Sequence, residues 1–247
     1  MTPAPSRIVE VAELDLDFRP EPWSFAVKRA EDIADHWRNR KLAQPRLYDG
    51  RVLLLGSHEF DRRADGASVL RGTYFETSFS AFLAWRDFNF PDAQVCNAFS
   101  MAALRTFDGA FLLGEMGSHT ANAGSIYFAS GTPDPQDVVS GKVDLAASVE
   151  RELLEETGLA SAEVEIAPGW TLVYAPPRIA CMKAMRIDIA ACRAKERIDA
   201  FLASEVDPEL ARMHIVATAA DIDASRSPTF IVDYLQHAFR KDHSSVG

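Results

Sequence analysis

The residues best placed to do chemistry are Arg151-Glu152-Leu153-Leu154-Glu155-Glu156-Thr157-Gly158-Leu159. On a helix advancing about 100° per residue, Ala146, Val149 and Leu153 make an apolar stripe, and Glu152, Glu155 and Glu156 fill the adjoining arc. Stability alone does not favour that placement. Glu155 and Glu156 stand in the last turn, where the helix dipole is negative and an added anion costs about 0.3–1 kcal/mol. Glu152 and Glu156 also repel each other one turn apart, and Arg151 offsets part of this by facing Glu155. A solvated charged face is the competing account, but a glycine- and proline-rich loop, Ser130-Gly131-Thr132-Pro133-Asp134-Pro135, stands just upstream. Carboxylate oxygens converging beside a short backbone loop suit a hard divalent cation, Mg2+ above all, which takes its remaining ligands from water and substrate phosphates. Such an ion bridges phosphate oxygens and activates a water. The chemistry predicted is metal-assisted hydrolysis of a phosphoanhydride.

The carboxylates need a helix ending at Thr157, and Gly158 is the residue type that stops one. Around it the patterning predicts a hairpin, 98–106 and 111–113, across Phe107-Asp108-Gly109-Ala110. Further strands are expected at 125–129, 163–166, 171–174, 179–190 and 213–216, with helices at 195–203 and 228–240. In the first ninety or so residues, alternation predicts a strand over 8–18, helical spacing a helix over 23–42, then strands at 51–55 and 69–75 and an aromatic helix at 78–88. The expected organisation is an N-terminal α/β extension over 1–94, a catalytic domain over 95–241 and a frayed tail over 242–247.

Composition narrows the function classes. The chain has 247 residues, enough for a full core without disulfides, and its 47% hydrophobic content is that of a globular protein. A net charge of −10 supplies no cationic footprint for nucleic acid or an anionic membrane. Cys96, Cys181 and Cys192 share no metal-ligand spacing and read as reduced thiols, and Glu10, Glu13, Asp15 and Asp17 interrupt any apolar leader, so the expected location is cytoplasmic. The six histidines share no ligand spacing; no nucleophile elbow surrounds Ser78 or Ser80, and Ala121-Asn122-Ala123-Gly124-Ser125 lacks the lysine of a phosphate-binding loop.

Arg151 to Leu159 resembles the second half of the Nudix hydrolase box, G-x5-E-x7-R-E-U-x-E-E-x-G-U with U aliphatic, at every fixed position. The first half departs. Counting back without a gap puts the box glutamate on Val143 and the glycine on Asp137, whereas Gly131 precedes Arg151 by 20 positions, six more than the box allows. Gly131 is therefore aligned with the box glycine and the six extra residues with Gln136 to Gly141; Asp134 and Asp144 are the candidates for the first acid. The resemblance implies an α/β (α+β) fold, a Nudix-type α/β/α sandwich with a mixed sheet. It also implies Mg2+-dependent hydrolysis, with Mn2+ an acceptable substitute, of a nucleoside diphosphate linked to another group.

Carried over residue by residue, the resemblance makes Glu155 and Glu156 the main metal ligands and Glu152 a further ligand or water activator. Arg151 would organise the charges, and Gly131 would lend its carbonyl. A later acid would come from Glu205, Asp207, Glu209, Asp221 or Asp223. Trp37-Arg38-Asn39-Arg40, Leu47-Tyr48-Asp49-Gly50 and Trp85-Arg86-Asp87-Phe88, with Gly131-Thr132-Pro133-Asp134-Pro135, are similar to the branch acting on UDP-glucose and UDP-galactose. That similarity nominates Arg38 and Arg86 for the diphosphate. The other readings are a coenzyme A diphosphatase and a silent nucleotide-binding module lacking the first acid. The partner expected is a small nucleotide derivative, and a homodimer remains open.

Overall fold

The computed structural model describes residues 6–245. The fold is mixed α/β, with two mixed sheets and six α-helices among the described residues. The strands are β1 (Arg7–Val11), β2 (Glu13–Phe18), β3 (Arg51–Arg62), β4 (Ser68–Ser78), β5 (Asn97–Thr106), β6 (Phe111–Met116), β7 (Ile126–Tyr127), β8 (Ser130–Gly131), β9 (Val138–Val139), β10 (Lys142–Val143), β11 (Val164–Ile166), β12 (Trp170–Ala175), β13 (Arg178–Ile187) and β14 (Leu210–Val216). The helices are α1 (Ser24–Lys28), α2 (Ala30–Ala43), α3 (Phe79–Asp87), α4 (Leu145–Thr157), α5 (Ala191–Ser204) and α6 (Thr229–Ser245). No helix among the described residues is long and apolar enough to cross a membrane.

The larger sheet runs β1-β12-β13-β5-β6-β14, with β11, β7 and β8 pairing beside β13, β6 and β5. Its centre is the parallel pair β13 and β5, and every residue from Asn97 to Leu104 is buried. Such a strand must be covered on both faces, which is why it lacks polar alternation. Val149 and Leu153 of α4 join this core fully buried, as do Ala194 and Ile198 of α5. Phe230, Tyr234 and Phe239 of α6 meet Phe99, Phe111 and Phe128 through ring edges. The smaller sheet runs β3-β4-β2-β10-β9, and Leu55 bridges to Cys96 at the head of β5.

Several elements differ from their sequence-based expectation. The strand expected over 8–18 breaks at Ala12: β1 pairs with β12 in the large sheet and β2 with β4 in the small one. Both halves alternate, so periodicity alone cannot reveal a change of sheet. The helix expected over 23–42 breaks at Arg29, whose φ of −115° is not helical. Chain from both sides of residue 94 enters both sheets, with β1 in the larger and β9–β10 in the smaller. The terminal helix continues past 242 to Ser245, tied by Arg105 to Asp242 and by Lys241 to Glu10. Residues 246–247 of the expected tail lie outside the described residues.

Candidate active site

Helix α4 positions the acidic residues through its two ends and one buried stripe. Asp144 caps the start, accepting the N–H groups of Ala146 and Ala147 at 3.0 Å. Gly158 ends it with φ at +69°, and a Cβ there would stand 2.6 Å from the Phe201 ring of α5, so conformation and packing both require glycine. With Val149 and Leu153 fully buried, the rotation of the helix is fixed and Glu152 and Glu156 turn inward together.

Glu156 is only 4% exposed, and its carboxylate accepts the Ser130 N–H at 3.2 Å. Burial, with Glu152 and Glu209 adding repulsion, raises its pKa well above the usual carboxylate range. Glu152 is pushed up to about 7, chiefly by burial, although Arg151 lowers it in part. It also lies against the backbone of β8: a Cβ on Gly131 would stand 2.3 Å from Glu152 Oε1. Glycine is the residue that lets the strand pass there. Glu155 behaves differently, being largely exposed and 3.5 Å from Arg151.

Arg151 joins the acids. Its Nη1 donates to Glu152 at 2.9 Å and its Nη2 to Asp137 at 2.8 Å. Burial opposes the charge of the guanidinium, but Asp137, Glu152 and Glu155 more than offset it and raise its pKa. Asp137 is buried and also accepts Ser148 Oγ at 3.2 Å and the Asp134 N–H at 2.9 Å. The acid facing Arg151 is thus neither Asp134, which caps the short 3-10 turn Pro135–Asp137, nor Asp144, which caps α4. Asp137 stands six positions after Gly131, the spacing of the box glycine and glutamate, so a forward count would have found it. The six extra residues are then not Gln136 to Gly141 but the hairpin Val138 to Val143, formed by β9 and β10. Its ends are already joined, since Asp144 N–H donates to Asp137 O at 2.8 Å.

Among the later acids, Glu209 is the one whose charge reaches Glu152 and Glu156. Asp207 pairs with Arg46, Asp223 with Arg226, and Asp221 caps its own turn, while Glu205 is exposed at the end of α5. As the side chains stand, no three His, Cys, Asp or Glu among the described residues are grouped so as to hold an ion. The donor set nonetheless fits a hard cation: it is all oxygen, Glu152 and Glu156 are buried with their charge disfavoured, and Glu155 is exposed enough to turn.

A cavity of about 690 Å³ opens beside Glu152, Gly131 and Glu209 and extends to Arg46, Tyr48, Phe79 and Arg86 of the N-terminal region. Arg86 lines it. Arg38 does not: it is exposed on α2 and pairs with Asp35 one turn earlier. Trp85 is fully buried and donates to the Asp92 carbonyl, and Trp37 meets Phe79 edge-on. Sequence reasoning missed Arg178 and Asn97, which also line the cavity and carry no motif.

No family model matches the chain, and no curated protein matches it. Solved structures do. A MutT protein from Methanosarcina mazei Go1 is 18% identical over 59% of this chain and 94% of its own, with a TM-score of 0.40. A C. elegans Ap4A hydrolase is 15% identical over 60% and 97%, with a TM-score of 0.39. The Nudix hydrolase RenU of M. smegmatis is 12% identical over 61% and 86%, with a TM-score of 0.38. Likeness of this degree assigns no activity.

Proposed function

We propose that this chain is a Nudix-type, Mg2+-dependent hydrolase that cleaves the pyrophosphate bond of a nucleoside diphosphate joined to a sugar-like group. The observation that carries the reading is the linkage of Asp137, Arg151 and Glu152 at 2.8 and 2.9 Å, beside a buried Glu156 and a glycine strand at Gly131. With Asp137 in place of the first box glutamate, the motive for a silent nucleotide-binding module falls away.

Glu152, Glu155 and Glu156 would hold the cation together with the Gly131 carbonyl, and Glu209 is the later acid nearest to them in charge. When bound, the ion neutralises phosphate charge and acidifies a water. The chain's own contribution is positional. Arg151 is braced on Asp137 and holds Glu152 in one orientation, from which its carboxylate takes a proton from the attacking water. The buried walls around Glu156 and Tyr127 exclude bulk solvent and strengthen each electrostatic contact. Arg86 and the aromatic cavity walls suit a diphosphate and its nucleoside.

A hydrolysis screen with UDP-glucose, Ap4A, coenzyme A and nucleoside triphosphates tests this, run with Mg2+, with Mn2+ and with chelator. UDP-glucose should be cleaved to UMP and glucose 1-phosphate, and chelator should stop it. Preferential cleavage of coenzyme A would move the substrate class, and turnover of none of them would end the hydrolase reading.

A further inference from the structure

Two polar residues of the cavity wall, Arg178 and Asn97, have no part in the proposed hydrolysis. Arg178 opens β13 and stands in register opposite Asn97, the first residue of β5. Its guanidinium lies over the Phe90 ring at 5.0 Å, and among the described residues no carboxylate pairs with it. Arg86 is close by: burial first, and then the Arg86 charge, lowers the Arg178 pKa. The acid nearest Arg86, Asp87 at 3.0 Å, is shared with His36 at 2.9 Å and Arg40 at 3.8 Å. Two guanidinium groups therefore face one cavity, Arg178 without a paired carboxylate among the described residues and Arg86 sharing Asp87 with His36 and Arg40.

Asn97 adds a separate observation. The residue is 9% exposed, and its side-chain oxygen is buried without a hydrogen-bond donor. Its backbone N–H is committed to the Pro177 carbonyl, so the side chain is held beside the start of β13. A buried acceptor left unmet is costly, and sites of this kind are met by a ligand or a water. Adjacent strands lie about 4.8 Å apart, so one small ligand can reach both Asn97 and Arg178. The group that satisfies them all carries anionic oxygens for the arginines and an O–H for the Asn97 oxygen.

We infer that Arg178, Arg86 and Asn97 form a subsite for a phosphoryl group esterified to a hydroxylated moiety, the guanidinium groups taking phosphate oxygens and Asn97 Oδ1 accepting from a hydroxyl. This rests on reading the cavity as the pyrophosphate site, and it assigns to these residues the choice of what the diphosphate is joined to. In a chain of net charge −10, with Glu152 and Glu209 lining the same cavity, such a cationic wall is also what makes a phosphate welcome.

Calorimetric titration of the metal-free protein in chelator tests it with two probes, glucose 1-phosphate and inorganic phosphate. Arg178→Ala should weaken both by about tenfold or more, the effect of losing a charge-assisted hydrogen bond. Asn97→Ala should weaken glucose 1-phosphate by roughly two- to tenfold and leave inorganic phosphate unchanged. Arg178→Lys, which keeps the charge and loses the fork, should fall between wild type and Arg178→Ala, and it replaces that variant if Arg178→Ala does not fold. Wild-type protein that binds neither probe, unchanged binding in the Arg178 variants, or equal loss of both probes in Asn97→Ala overturns the inference. No turnover enters these measurements, so a failed hydrolase reading and a failed subsite give different results.

Discussion

Replacing Glu152 by glutamine should stabilise the metal-free protein, and the gain should depend on pH. The carboxyl is raised from its ordinary 4.5 to about 7, chiefly by burial, and its side chain is only 14% exposed. At about 1.4 kcal/mol for each tenfold in proton affinity, that difference amounts to about 3 kcal/mol. The folded protein holds this proton more tightly than the unfolded chain does. Folding stability from this group is therefore intact below pH 4.5 and is lost as pH rises through 7. Glutamine keeps the shape and an acceptor for Arg151 Nη1 but never ionises. In chelator the variant and wild type should match near pH 4.5 and diverge to about 3 kcal/mol by pH 8, about 6–12 °C in melting temperature for a chain of this size. Thermal and urea unfolding across pH 4.5–8.5 would measure it, and Mg2+ should narrow the gap by engaging the wild-type carboxylate. Parallel stability curves for the two proteins in chelator would refute the burial argument.

Glu155→Gln and Glu156→Gln should each lower Mg2+-dependent hydrolysis by about a hundredfold or more while leaving the fold stable, as steady-state rates and melting curves would show. Asp137→Asn should cost about 1.5–3 kcal/mol in urea unfolding, because Arg151 loses a charged hydrogen bond in a partly buried place, and kcat should fall with it. Deleting Val138 to Val143 should give a folded, less stable and still active protein, since the hairpin ends already meet at Asp137 and Asp144 and the hairpin is the edge of the smaller sheet; the losses are the buried Val143, about 1.5–3 kcal/mol, and the contacts of Gly141 and Lys142 with β2. Deleting Gln136 to Gly141 instead removes Asp137, and the two deletions should differ in activity. Arg86→Ala should raise KM for UDP-glucose by about tenfold or more, with a larger effect at low salt, whereas Arg38→Ala should leave it unchanged, because that side chain pairs with Asp35 outside the cavity.

What the sequence determined on its own was local. The end of α4 at Thr157 followed from a glycine that readily takes the left-handed cap, and the placing of Glu152, Glu155 and Glu156 beside the stripe of Val149 and Leu153 followed from helical spacing, whereas the burial of Glu152 and Glu156 came from the fold. Glu155 shares that arc on a helical wheel yet faces solvent, because an angle around an axis does not say where the neighbouring wall ends. The break at Ala12 was invisible for a related reason: the side-chain period is two in either sheet, and only the partners of β1 and β2 distinguish them. Asp137 could be reached by counting once the insertion was placed, but its pairing with Arg151 needed the hairpin folded out of the way. Arg178 and Asn97 were beyond any motif, and Glu209 was one of five later acids between which the sequence did not choose. They lie on three different strands or the loops before them, and they come to one cavity because β13 runs parallel to β5 and β14 follows α5 back to the same sheet. Long-range strand pairing brought them together, and no local spacing encodes it.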